Sequence, residues 1–176
     1  SASLVVEEAG GGLDTVYYFS DPVGSLINMM AENIEEAHSS GTGINITGNA
    51  GDNVIWGDAG DNRLEGGGGS DTLAGAAGSD FYVLTSGLEV ILENLGEGVD
   101  VVKSRGSHTL GANVEHLELI GDTAVYGTGN ELANTLYGNG LANVLSGLDG
   151  DDTLGGGGGD DILLGGKGSD RYEFLY

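Results

Sequence analysis

Cysteine is absent from the 176 residues, so neither a disulfide nor a thiolate metal site can hold this chain together. A single proline, and no glycine at every third place, exclude a collagen-like helix. Basic residues are almost missing as well. Arg63, Lys103, Arg105, Lys167 and Arg171 stand against 28 acids, for a formal net charge of −23. No basic patch can follow a phosphate backbone, which excludes nucleic acid as a partner. The same field repels anionic lipid and polyanionic sugar unless cations bridge them. No apolar run approaches the ~18 residues of a membrane span, so no membrane insertion is expected. There is no G-x-S-x-G elbow and no cysteine nucleophile, and the few bases form no constellation. The sequence therefore predicts no enzyme.

What the chain does contain is glycine, 36 residues of it, in phase. From residue 48 the sequence reads GNAGDNVIW, GDAGDNRLE, GGGGSDTLA and GAAGSDFYV, four units of nine. From residue 129 it reads GNELANTLY, GNGLANVLS, GLDGDDTLG, GGGGDDILL and GGKGSDRYE, five more. Glycine recurs at places one and four, Asn or Asp fills place six, and a large apolar residue fills place eight. A fixed short period signals a solenoid rather than a disordered acidic tail.

The chemistry of the unit follows from its places. Places one to six form a turn and seven to nine a short strand, with the eighth side chain pointing inward. Two units make a flattened coil of eighteen residues. Asp152 then lies one strand spacing (~4.8 Å) from Asp170. Carboxylates that close require a proton or a cation between them. The acids are sorted to suit. Eleven of fifteen Asp fall inside the two blocks, but only three of thirteen Glu. Carboxylates and carbonyls are hard oxygen ligands, which suit Ca²⁺ better than the strict octahedron of Mg²⁺. Zinc is disfavoured, because no cysteine and no repeat histidine is present.

At these residues the sequence resembles the RTX (repeats-in-toxin) family, whose pattern is G-G-x-G-x-D-x-U-x with U a large apolar residue. GGGGSDTLA, GGGGDDILL and GGKGSDRYE carry the resemblance most closely. It implies an all-β, right-handed parallel β-roll or β-solenoid with Ca²⁺ between turns, exported by type I secretion and folded outside the cell. One turn would give carbonyls from places two and four plus its sixth residue. The turn eighteen residues on would give carbonyls from one and three plus its own Asp. Carried over, the best site is Leu148, Gly150, Asp152, Gly165, Lys167 and Asp170. A second is Asp58, Gly60, Asn62, Gly75, Ala77 and Asp80. A third is Asn49, Gly51, Asn53, Gly66, Gly68 and Asp71. A weaker fourth joins Asn143 to Gly156, Gly158 and Asp161. That makes about three to five ions.

The departures carry expectations of their own. Each block opens with Asn at place six, a neutral oxygen that should bind more weakly. Leu132 and Leu141 replace the fourth glycine, and a leucine at positive φ is unfavourable. The coil over 129–146 is therefore expected to be a metal-free lead-in, its Asn134 and Asn143 bonding turn to turn. Asp52, Asp61, Asp151 and Asp160, at place five, are expected to supply outer charge. Asp14, Asp100 and the scattered Glu are expected at the surface, as are His38, His108 and His116. Trp56 should point outward. Tyr82 and Tyr172 should cap the two rolls.

A longer repeat frames the blocks. VVEEAGGGLDTV (5–16) aligns with ILENLGEGVDVV (91–102), and each is followed by a roll. The organisation predicted is a spacer over 1–43, a roll over 44–84, a strand-rich spacer over 85–128 and a second roll over 129–176. Leu26, Met30, Ile34 and Ala37 have helical spacing, so a short helix over 25–37 competes with an extended reading. The pairs Ile44/Ile46, Leu117/Leu119 and Val125/Tyr126 could continue the core between the rolls. The spacers resemble those of large secreted RTX proteins and of the R-modules of alginate epimerases, which suggests part of a larger protein. The functional expectation is a calcium-binding module of a secreted bacterial protein that folds when calcium arrives. The alternative is a carbohydrate-binding or adhesive accessory whose calcium is structural, with polysaccharide or a neighbouring domain as partner.

Overall fold

A computed structural model describes residues 12–19, 26–27, 34–41 and 43–174. Among these residues every element is a strand, eighteen in all, and every pairing is parallel. Most strands have three to five residues, too few to stand alone, so each depends on the coil above and the coil below. Successive strands alternate between two faces. One face is a single nine-stranded sheet running from Leu26–Ile27 to Arg171–Glu173. The other is split into a five-stranded and a four-stranded sheet, with the break between Val90–Ile91 and His108–Thr109. The unbroken face passes through residues 85–128 without interruption, so the spacer is built into the same solenoid as the two repeat blocks.

Register explains the core. On the unbroken face Ile46, Leu64, Tyr82, Val102, Leu117, Leu136, Leu154 and Tyr172 align coil upon coil. On the other face Val16, Ala37, Ile55, Leu73 and Ile91 align, followed after the break by His108, Gly127, Leu145 and Leu163. These are the eighth places of the repeats and their counterparts in the spacers. Ile46, Ile55, Leu64, Leu73, Tyr82, Val102, Leu136, Leu145 and Leu154 are wholly buried. Period-two alternation with an unvarying register turns one inward residue per strand into a continuous apolar column.

Coil length is where blocks and spacers differ. Inside the blocks partners lie eighteen apart, as in Thr135↔Thr153↔Arg171. Across the spacer Phe81 pairs with Val101, twenty on, and Val101 with His116, fifteen on. The solenoid tolerates this because only the strand register must hold, while the turns absorb the difference.

Several expectations change. The helical spacing over 25–37 gives way to strands at Leu26–Ile27 and Glu36–Ser40, with 28–33 outside the described residues. Ala37 is instead an inward strand residue opposite Ile55. The VVEE stretch at 5–8 also lies outside the described residues. Tyr82 does not cap a roll. It sits mid-column between Leu64 and Val102, while Tyr172, half-exposed, stands on the last described strand. Ile44, Ile46, Leu117 and Leu119 are buried as expected, but of Val125/Tyr126 the tyrosine faces out, and Ala124 and Gly127 point inward in their place. Asp100 and His108 are not surface residues. Asp100 is 1% exposed because its turn is one more rung of the acid column described below, and His108 is buried because it occupies an eighth-place position.

Candidate metal centres

Each turn precedes a strand, so its sixth residue sits at the edge of the column of strands. On the side of the unbroken sheet this edge carries Asn62, Asp80, Asp100, Glu115, Asn134, Asp152 and Asp170 in successive coils. On the other side Asn53, Asp71 and Glu89 follow one another, and Asn143 and Asp161 do so beyond the break. The acids are linked by one repeated bond. In seven steps of these columns the sixth-place N–H donates to a carboxylate of the next coil. Asn62 donates to Asp80 Oδ1 (2.7 Å), Asp80 to Asp100 Oδ1 (2.8 Å), Asp100 to Glu115 Oε2 (2.8 Å), Asn134 to Asp152 Oδ1 (2.8 Å) and Asp152 to Asp170 Oδ1 (3.1 Å). Asn53 to Asp71 (2.9 Å) and Asn143 to Asp161 (2.8 Å) repeat it across the coil.

One oxygen of each carboxylate is thus spent on the backbone. The second oxygens of Asp71, Asp80 and Asp152 are buried and have no hydrogen-bond partner among the described residues. Each lies back over the first glycine of its own turn, where a Cβ on Gly66, Gly75 or Gly147 would come within 2.0, 2.1 and 2.0 Å. Burial with no proton donor disfavours the charged form. It pushes the Asp80 carboxyl up to about 7 and Asp71 up to about 6, with neighbouring carboxylates adding to the effect, and raises Asp152 in the same direction.

The carbonyls converge on the same gaps. Around the best set, Gly150 N–H donates to the Lys167 carbonyl (2.8 Å), which therefore faces the coil before it. The Leu148 and Gly150 carbonyls face the coil after them, so near that a Cβ on Gly166 or Gly168 would meet them at 1.8 and 1.9 Å. Gly166 (φ 113°) and Gly168 (φ 131°) also occupy the left-handed region, which makes glycine doubly necessary there. The Gly165 carbonyl faces back to Gly147. The Leu148, Gly150 and Asp152 turn and the Gly165, Lys167 and Asp170 turn therefore present oxygens to one gap. The other sets are brought together alike. Gly66 faces Gly48, Gly75 faces Gly57 and Gly156 faces Gly138, each through its carbonyl, while Gly51 and Gly60 face forward to Gly69 and Gly78. Gly68 donates to the Asn49 carbonyl (2.8 Å) and Gly158 to that of Asn139 (2.9 Å). Ala77 lies in the turn that Asp80 closes.

The Asn turns are built differently. Asn53 Oδ1 accepts from Asn49 N–H (2.9 Å), Asn62 Oδ1 from Asp58 (2.8 Å), Asn134 Oδ1 from Asn130 (2.7 Å) and Asn143 Oδ1 from Asn139 (2.8 Å). Their Nδ2 groups donate to the preceding coil, at Ile34 O, Ile44 O, Val114 O and Ala124 O. The side chain at place two completes an Asx turn on the N–H of place four, as Asn130 does for Leu132 and Asn139 for Leu141 (both 2.9 Å). Leu132 and Leu141 thereby avoid positive φ, and the strained leucine is Leu148 (φ 82°), at place two. Asn134 and Asn143 do bond turn to turn, but from opposite sides of the coil. The amides of Asn53, Asn62 and Asn143 are thus committed to the backbone, leaving Asp71, Asp80 and Asp161 as the acids of those gaps. Asp58 accepts from Gly43 (2.8 Å) and Gly60 (3.0 Å); burial raises its carboxyl, but these donors outweigh it and hold it below its ordinary value.

The fifth-place acids have a structural role that sequence reasoning missed. Asp52, Asp61 and Asp151 each accept the N–H of the fifth residue in the next coil, Ser70 (2.7 Å), Ser79 (2.8 Å) and Ser169 (2.7 Å). Glu89 was also missed. It is buried, yet N–H groups of Thr85 and Ser86 satisfy it; burial alone would raise it, and the donors bring it below the usual glutamate range.

Stacked parallel coils with glycine–acid turns of eighteen-residue period define a parallel β-solenoid. Residues 47–82, 128–154 and 137–172 match the family model of the RTX calcium-binding nonapeptide repeat (4 copies), so this chain carries RTX calcium-binding repeats. No curated protein and no solved structure matches it.

Proposed function

We propose that this chain is the calcium-responsive part of a secreted protein, folding from an open, self-repelling acidic chain into the solenoid when Ca²⁺ enters the gaps between turns. The observation that carries it is the set of buried, unpartnered second oxygens on Asp71, Asp80 and Asp152, each in a turn whose neighbours present carbonyls. Calcium would be held by Leu148, Gly150, Asp152, Gly165, Lys167 and Asp170, and by the Asp71, Asp80 and Asp161 gaps with the carbonyls named above. The ion would supply the charge that lets these acids ionise while buried, so its binding becomes folding free energy. Affinities in the ~10⁻⁴–10⁻³ M range of extracellular modules would keep the chain open in a low-calcium cytosol and close it outside. The role is structural and not catalytic. Among the described residues no helix is long and apolar enough to cross a membrane. Circular dichroism followed during a calcium titration tests this reading. A cooperative gain of strand signal is expected, and a spectrum indifferent to EGTA contradicts it.

A second reading, an accessory that binds glycan, has one observation in its favour. Tyr17, His38 and Trp56 stack across three coils of the five-stranded sheet, with ring centroids 5.0 and 5.9 Å apart. Tyr17 is 62% and Trp56 38% exposed, so the rings form a stripe that a sugar face could cover. A glycan array with and without calcium, repeated with Trp56→Ala, distinguishes this role from a purely structural one.

A further inference from the structure

A cluster of three carboxylates straddles the end of the first segment that matches the repeat, Asp80 lying inside it and Glu93 and Asp100 beyond. Asp80, Glu93 and Asp100 each bring an oxygen within 4.8 Å of the other two. Asp80 is the sixth-place acid of the last unit of the first block. Asp100 comes from LGEGVDVVK (95–103), which reads as a degenerate unit with glycine at places two and four, Asp at six and Val102 at eight. The structure treats it as one. Gly96 has φ 81°, Val102 joins the core column opposite Tyr82, and Asp80 N–H donates to Asp100 Oδ1 at 2.8 Å. The Gly78 carbonyl presses on Gly98, where a Cβ would lie 1.6 Å away, and the Glu97 carbonyl accepts from Gly78 N–H at 2.7 Å. Main-chain oxygens of both turns therefore face the same gap. Glu93 has no counterpart in the nonapeptide unit. It lies between the strand Val90–Ile91 and this turn, and Tyr82 donates its hydroxyl to Glu93 Oε1.

Two further observations point to a ligand. Asp80, 1% exposed, keeps a buried Oδ2 without a partner, and Glu93 Oε2 is likewise buried and unpartnered. An open cavity of about 400 Å³, walled largely by apolar residues such as Trp56, Ile91 and Leu92, reaches Glu93, Asn94 and Glu97 on one side of the cluster. All donors are oxygens, three of them carboxylates, so the chemistry is that of a hard divalent cation of calcium size. We propose that Asp80, Glu93 and Asp100 form a calcium site in which a loop glutamate joins two successive turns, fastening the first repeat block to the segment that follows it. The proposal rests on the reading that this chain takes up calcium, and adds to it a site beyond the first block whose third acid, Glu93, the repeat pattern does not contain.

Terbium substitution on the full chain tests it. Anomalous scattering from crystals grown with terbium should show a peak among the three carboxylates, besides any peaks between repeat turns. Tyr82, in contact with Glu93, should sensitise terbium emission. In solution, Glu93→Gln and Asp100→Asn should each lower the calcium count from calorimetric titration by one ion and leave the others bound. Peaks between repeat turns with none at the cluster would overturn this site alone, as would an unchanged ion count in a folded Glu93→Gln variant. A chain that binds no terbium or calcium anywhere would overturn both this site and the calcium reading. The crystal measurement uses the unmodified chain, so it stands even if a variant fails to fold.

Discussion

At the scale of single residues, the turns divide glycines into those the backbone demands and those it merely allows. Gly166 and Gly140 make the contrast. An alanine at Gly166 would adopt φ 113° and drive its Cβ to 1.8 Å from the Leu148 carbonyl. The left-handed conformation alone costs about 1–2 kcal/mol, and the collision adds to it. At Gly140 a Cβ would meet no atom within 4 Å, and φ lies outside the left-handed region. Gly140→Ala should therefore be neutral or stabilising by up to about 1 kcal/mol, since it narrows the unfolded ensemble. Urea melts at saturating calcium should separate the two, and equal loss in both would show that the turn contacts do not set stability. Asn62 offers a second residue-scale test. Its amide joins Asp58 N–H to Ile44 O. Asn62→Ala leaves both buried groups unpaired, which should cost about 1–3 kcal/mol in urea melts at saturating calcium, with the calcium count unchanged. A calorimetric titration that loses one calcium ion would instead make Asn62 a ligand.

At the scale of the element, each strand is a short rung whose worth lies in its inward side chain. Leu73 is wholly buried between Ile55 and Ile91. Leu73→Ala should cost about 2–5 kcal/mol, and denaturant titration measures it. The rungs were legible because places seven to nine repeat in phase. The two kinds of turn were legible only in part. Asn at place six was visible, but its bond to place two was not, because a hydrogen bond between places two and six depends on the folded path of the turn. The stretch 25–37 shows the converse failure. Leu26, Ile34 and Ala37 fit a helical face, but Ala37 lies in a strand paired with the edge at Ile55. Pattern cannot weigh that edge, since it does not exist until the neighbouring coils have stacked.

At the scale of the whole molecule, the charge of −23 sets the conditions for folding. Burial pushes Asp80 and Glu93 up to about 7, and Asp71 and Asp100 up to about 6, with adjacent carboxylates adding. A carboxyl whose folded value lies above its unfolded value takes up a proton on folding. Its contribution to stability is complete below about 4 and is lost as the pH climbs through 6 to 7. Without calcium, the solenoid should therefore be favoured near pH 5, where these acids carry their protons, and lost by pH 8. Calcium affinity should rise over the same interval, because the ion competes with those protons. Circular dichroism in calcium-free buffer at stepped pH checks the first, and a strand signal that holds steady or grows as the pH rises would refute it.

The sequence by itself determined the solenoid, its eighteen-residue coil, its inward residues and the chemistry of its turns. Each of these follows from a nine-residue period that local conformation and alternation read directly. Only the tertiary structure decided that residues 85–128 belong to the same solenoid, that Asp100 is a buried rung rather than a surface acid, and that Glu93 stands beside it. Those facts depend on coils of fifteen and twenty residues keeping strand register while their turns change length. Register across unequal coils is set by hydrogen bonds and side-chain packing between segments distant in the chain, and no period in the sequence records it.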